Sequence, residues 1–135
     1  MTLIVCVDDR LGMAFNGRRQ SRDKAVCQDM LKLAAESRLW IEEGSRRLFE
    51  GLEGPVCCAE DWTEQAQEGD FCFVENRPLA PLANKITTLV LYRWNRTYPA
   101  DLRFDLPLEN WRQTGVTEFP GTSHERITRE VYVHE

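Results

Sequence analysis

Apolar residues fall in short runs, each closed by charged or turn-forming residues. Residues 3–7 are apolar throughout, the pattern of a strand covered on both faces. Leu39–Ile41, Val56–Cys58 and residues 71–74 repeat that pattern at shorter length, and residues 89–94 make a longer strand. Between the first two runs, Val26, Met30, Leu33 and Ala34 keep the i, i+4, i+7, i+8 spacing of a helix with one buried face. Ser21 stands where an N-cap belongs, so this helix is expected to begin between Ser21 and Lys24. Gly12 and Asn16-Gly17 break the segment before it into a loop. A second helix is expected from Gly44-Ser45, carrying Leu48, Phe49 and Leu52 and stopping before Gly54-Pro55. Residues 60–68 read as a brief acidic helix packing Trp62 and Ala66, and Pro78 and Pro81 frame a helical or turn segment. Trp111–Phe119 and Ile127–His134 are two more strands, the last with a period of two.

Strands alternating with helices and then a run of strands predict an α/β fold. Its mainly parallel central sheet is flanked by helices and carries an antiparallel C-terminal hairpin. The 135 residues are expected to form a single domain, 1–135, since no linker or repeat interrupts them. Apolar residues at 42% and charged residues at 29% exclude disorder as the main description. No stretch approaches the ~20 apolar residues of a membrane span. The first apolar run lacks a basic flank and is too short for a signal peptide.

The net charge of −5 argues against a dedicated nucleic-acid binder, and with no apolar span no membrane partner is expected. Its distribution is uneven: +4 over residues 10–24 and −8 over residues 36–75. Cys6, Cys27, Cys57, Cys58 and Cys72 are odd in number and contain no C-x-x-C. They read as reduced thiols of a cytoplasmic protein. With two histidines in the chain, no zinc site assembles by spacing, so no metal is expected. Ser123-His124-Glu125 are adjacent in sequence, and a catalytic triad needs its members convergent in space. Tyr92 and Trp94 share one face of a strand while Arg93 takes the other, which reads as core packing.

Three stretches resemble dihydrofolate reductase. Residues 3–17 give a first strand, a glycine-containing loop and an Asn-Gly turn. Residues 71–86 look like the reductases' cofactor-side strand and the run into the next one. Residues 89–134, with Asp101-Leu102-Arg103-Phe104, Trp111 and the closing strand, resemble that family's C-terminal hairpin. The resemblance implies the fold just described, with NADPH as the expected cofactor and a carboxylate near the first helix for the pterin ring.

The sequence departs from the reductase pattern where the cofactor should sit. The family's Gly-Gly pair, which lets backbone approach the pyrophosphate, is replaced by Glu75-Asn76. A carboxylate facing a phosphate at ~4 Å costs about 4 kcal/mol at an effective dielectric near 20. The Gly-Arg-x-Thr-Trp phosphate motif is replaced by Glu42-Glu43-Gly44-Ser45, and Arg18-Arg19-Gln20 replaces the substrate loop's Pro-Trp. The expectation is a degenerate reductase-like domain with no cofactor, binding a small molecule or a protein partner. The candidate site is Arg18, Arg19, Ser21, Arg22, Asp23, Glu75 and Asn76. Asp23 is either the surviving pterin carboxylate or a first-turn acid favoured by the helix dipole. The alternative is an active enzyme on the same scaffold, either a divergent pterin reductase or a hydrolase or transferase acting on a phosphorylated compound.

Overall fold

The structure, a computed structural model, describes residues 1–134. Its strands in chain order are β1 (Thr2–Val7), β2 (Gly12–Phe15), β3 (Arg18–Arg19), β4 (Leu39–Ile41), β5 (Val56–Cys58), β6 (Phe71–Phe73), β7 (Thr88–Arg93), β8 (Leu102–Arg103), β9 (Trp111–Phe119) and β10 (Ile127–His134). The α-helices are α1 (Lys24–Leu33) and α2 (Trp62–Gln65), with 3-10 segments at Glu43–Phe49, Ala80–Lys85 and Leu108–Asn110.

Seven strands form the main sheet in the order β5-β4-β6-β1-β7-β10-β9. Neighbours from β5 to β7 are parallel, and β10 and β9 add antiparallel at the far edge. The mainly parallel sheet with an antiparallel C-terminal hairpin is therefore present, and β1 lies at its centre. Alternation along β1 sends Leu3, Val5 and Val7 into one core with Trp40, Leu89 and Leu91, and Ile4 into another with Val26, Met30, Phe73 and Tyr92. Each fully buried aliphatic or aromatic side chain here contributes roughly 1.5–3 kcal/mol. Two cores explain why the parallel strands read as continuous apolar runs.

Helix α1 covers the second core with Val26, Cys27, Met30, Leu31 and Ala34, while Leu33 turns partly outward. Its N-cap is Asp23 and not Ser21: the Asp23 side chain accepts from the Ala25 amide at 2.9 Å. The expected second helix is a 3-10 segment ending at Phe49, and Gly51 follows with φ +78°. The expected loop at residues 12–19 is a β2–β3 hairpin, turned by Asn16 and Gly17 at φ +53° and +74° and extended to a second sheet by β8. These positive φ values suit an Asn-Gly turn. No helix among the described residues is long and apolar enough to cross a membrane.

Candidate functional site

The carboxyl ends of parallel strands are where open α/β sheets place ligands. Here that edge gathers the segments after β1, β4, β6 and β7. Because β10 runs antiparallel to β7, pairing Thr128 with Arg93, the β9–β10 loop lies at the same edge.

Asp8 follows β1 and is 1% exposed. It accepts from the amides of Arg10, Gly12 and Tyr98 and from the Gln20 side chain. Burial alone would raise its pKa; the hydrogen bonds outweigh burial and hold it below the usual range. Asp8 thus pins the β2 hairpin and the Tyr98 segment to the sheet.

Asp23 is 2% exposed and more heavily engaged. Oδ1 accepts from the Ala25 amide, the Thr122 amide and the Thr122 hydroxyl. Oδ2 lies within hydrogen-bonding reach of the Ser123 amide, the His124 amide and His124 Nδ1, at 2.8, 3.1 and 3.0 Å. Burial opposes the charge, yet the Thr122, His124 and Ser123 contacts drive the pKa far below the ordinary carboxylate range. The β9–β10 loop closes so tightly over this carboxylate that a Cβ on Gly121 would collide with Oδ2. The loop also caps α1, since the Lys24 amide donates to the Thr122 hydroxyl. The first amides of the helix are therefore taken by its own chain and are not free for an anion.

Glu75, after β6, is bidentate to Arg19, with Nε–Oε1 at 2.8 Å and Nη2–Oε2 at 3.0 Å. It also accepts from the Ser45 hydroxyl at 2.6 Å, and Arg19 donates to the Gly44 carbonyl. Asn76 donates to the Gly17 carbonyl. These contacts bridge β3, β6 and the segment after β4.

Six of the seven predicted residues divide between two clefts, and Ser21 lines neither. A cleft of about 550 Å³ holds Arg18, Arg19, Glu75 and Asn76, together with Glu42, Ser45 and Glu60. A second, of about 320 Å³, holds Arg22 and Asp23 with Lys24, Arg47, Leu48 and Thr122. Ser21, Arg22, Asp23 and Glu75 meet at a buried void of about 10 Å³ against Cys6, Phe73 and Trp94. That is at the lower limit of what holds one water. Arg18, Arg22, Lys24 and Arg47 form no ion pair with any described residue, unlike Arg19.

Sequence reasoning missed His124 and Tyr98. His124 is 4% exposed and stacks on Trp94 at 4.6 Å. Its Nε2 is 3.1 Å from both Ser21 Oγ and Tyr98 Oη. The available signal was topological: the loop leading into β10, which runs antiparallel to β7, must lie at the edge where β7 ends and α1 begins. Asp8, Asp9 and Glu75, acids at this edge, do not form a metal-binding cluster; no group of three acidic, histidine or cysteine residues able to hold a metal occurs among the described residues.

No protein-family model matches the sequence, and no curated protein matches it. Among solved structures, the chain is similar to dihydrofolate reductase from Enterococcus faecalis complexed with NADP(H) and RAB-propyl. The TM-score is 0.67 at 9% identity, over 99% of this chain and 95% of that one. The chain therefore has the dihydrofolate reductase fold, at an identity that speaks for the fold alone.

Proposed function

We propose that residues 1–135 form one domain that keeps the reductase fold without a working NADPH site and binds a small acidic ligand beside α1. The observation that carries this reading is the bidentate Arg19–Glu75 pair with Ser45 attached. The reductase resemblance puts backbone glycine at this position, open to a pyrophosphate. Here a carboxylate and its partners occupy it, and Glu42 and Glu60 line the same cleft. An anionic dinucleotide would have to separate the pair or accept the acidic wall, so NADPH does not fit these residues.

The substrate side supports the same reading. The Asp23 oxygens are engaged by the chain's own amides and by His124. The space between Asp23 and the Phe73–Trp94 wall is about 10 Å³, far less than a bicyclic ring needs. Beside α1 the ligand space is the cleft of about 320 Å³, at the small end of the usual range for binding sites. Arg22, Lys24 and Arg47 outnumber its one exposed acid, Glu50, and Leu48 and Leu52 give it an apolar wall. A compact ligand with one or two carboxylates or a phosphate matches that lining. Five free thiols fit a reducing, cytoplasmic setting.

Calorimetric titration with succinate, a phosphate monoester and NADPH tests this. One of the two small anions should bind the wild-type protein and lose at least tenfold in affinity in the Arg22→Ala/Arg47→Ala variant. NADPH binding at micromolar concentration, or a double variant that retains full affinity, would overturn the proposal.

A further inference from the structure

We propose that Ser21 is a nucleophile activated by His124, and that the site transfers the acyl group of a small anionic ester to water. The preference for an anionic ester rests on the cleft reading above; the nucleophile does not.

Three segments distant in sequence converge here. Ser21 lies between β3 and α1, Asp23 caps α1, and His124 comes from the β9–β10 loop. His124 Nδ1 is 3.0 Å from Asp23 Oδ2, and His124 Nε2 is 3.1 Å from Ser21 Oγ. Those are the two contacts that nucleophile, base and orienting acid require. The ionised Asp23 places the imidazole proton on Nδ1, so Nε2 presents its lone pair. Both Ser21 and Tyr98 face that nitrogen, which accepts one proton donor at a time. Tyr98 Oη also donates to Ser21 Oγ at 3.4 Å, leaving the Ser21 hydroxyl to donate to Nε2. Stacking on Trp94 and near-complete burial fix the ring. Because Asp23 is the N-cap, the Ser21 hydroxyl is not spent on the helix backbone.

The void beside Ser21 and the cationic cleft share Arg22, Asp23, Cys27 and Leu48 among their linings, so the two adjoin. An ester whose anion rests on Lys24 and Arg47 would reach Ser21 once the half-buried Leu48 gives way. The Ser21 Oγ–carbonyl bond forms as the Ser21 proton passes to Nε2, with Arg22 as the positive charge facing the oxyanion. The ester C–O bond then breaks, and the alcohol leaves with the proton from Nε2. Water, deprotonated by Nε2, attacks the acyl-Ser21, which releases the acid and restores both groups.

Diisopropyl fluorophosphate is the direct probe: an Oγ–P bond forms, the P–F bond breaks, and fluoride leaves. The intact protein should acquire one dialkylphosphoryl group, mapped to Ser21 and absent from Ser37, Ser45 and Ser123. His124→Gln should slow labelling by about 10²-fold or more. Tyr98→Phe, which leaves Nε2 to Ser21 alone, should keep it. If His124→Gln does not fold, the wild-type and Tyr98→Phe adducts decide. No adduct on Ser21, equal labelling of all four serines, or an unchanged rate in folded His124→Gln overturns the nucleophile. The p-nitrophenyl half-ester of succinate should be cleaved with a lower KM than p-nitrophenyl acetate. Equal KM values with Ser21 still labelled would overturn the anionic-ester preference and leave the nucleophile standing.

Discussion

Replacing Asp23 by Asn separates a carboxylate that organises the fold from one held in reserve for a ligand. The change is nearly isosteric and removes one charge. In the folded chain six donor groups converge on the two oxygens, at 2.8–3.1 Å. An amide keeps one acceptor oxygen. If that oxygen serves the Ala25 and Thr122 donors, the amide nitrogen faces the Ser123 and His124 amides, both of them donors, while His124 keeps a contact only by switching tautomer so that Nδ1 accepts. The His124 amide contact is buried, so water cannot replace the lost acceptor. Leaving buried donors unpaired costs roughly 1–3 kcal/mol each, and breaking a buried ionic contact typically costs about 3–5 kcal/mol in all. We expect Asp23→Asn to lose about 3–5 kcal/mol, a large share of the ~5–15 kcal/mol typical of a domain. With a urea slope of about 1.5 kcal/mol/M, the unfolding midpoint should fall by roughly 2–3 M. Tryptophan fluorescence during urea titration reads this directly. A loss below about 1 kcal/mol would refute the reasoning and return Asp23 to the role of a ligand carboxylate, since ligand-binding groups commonly cost the free protein little or nothing.

The remaining predictions concern buried carboxylates and the contacts around them; one of these, Asp70, lies before β6 at the opposite edge of the sheet, where it accepts from the Trp40 indole and the Gln67 amide. Asp8, Asp23 and Asp70 are all held below the ordinary carboxyl range, because hydrogen bonds outweigh their burial. Their contribution to stability is complete above the unfolded value near pH 4 and is lost as the pH falls through the folded values. The urea midpoint should therefore change little between pH 7 and 5 and drop below pH 4; a rise on acidification would contradict the assignment. Gly121→Ala drives a methyl group into Asp23 and should cost about 1–3 kcal/mol by the same assay, against little for Gly69→Ala, which meets nothing. A double-mutant cycle between Arg19→Ala and Glu75→Ala should give a coupling of about 1–2 kcal/mol, and additive effects would show that the pair bridges nothing.

The buried strands were legible because both faces of the parallel sheet are covered, which leaves unbroken apolar runs such as residues 3–7 and 89–94. The closing hairpin was legible by the alternation in β10. The β2–β3 hairpin was not. Gly12-Met13-Ala14-Phe15 has no β-branched residue, β3 is two residues long, and the strand character of β2 comes from pairing with β8, about ninety residues away. The Asn16-Gly17 turn was the one local sign of it. The N-cap was misplaced by two residues because Ser21 and Asp23 are both good caps, and only the β9–β10 loop selects Asp23. The same loop explains the missed histidine. Spacing along the chain places His124 beside Ser123 and Glu125, whereas folding places it between Asp23 and Ser21, about a hundred residues earlier. The arginines show the converse limit: +4 over fifteen residues looked like one cluster, but Arg19 turns to Glu75 while Arg22 lines the other cleft.

Whether this fold still performs hydride transfer is decided by a direct assay. Purified full-length protein, folded by circular dichroism, should be mixed with NADPH and dihydrofolate and followed at 340 nm. No absorbance loss that requires all three components is expected, because Glu75 with Arg19 occupies the position expected for the cofactor and the Asp23 oxygens are already engaged. Turnover that depends on protein, NADPH and dihydrofolate together would contradict the account.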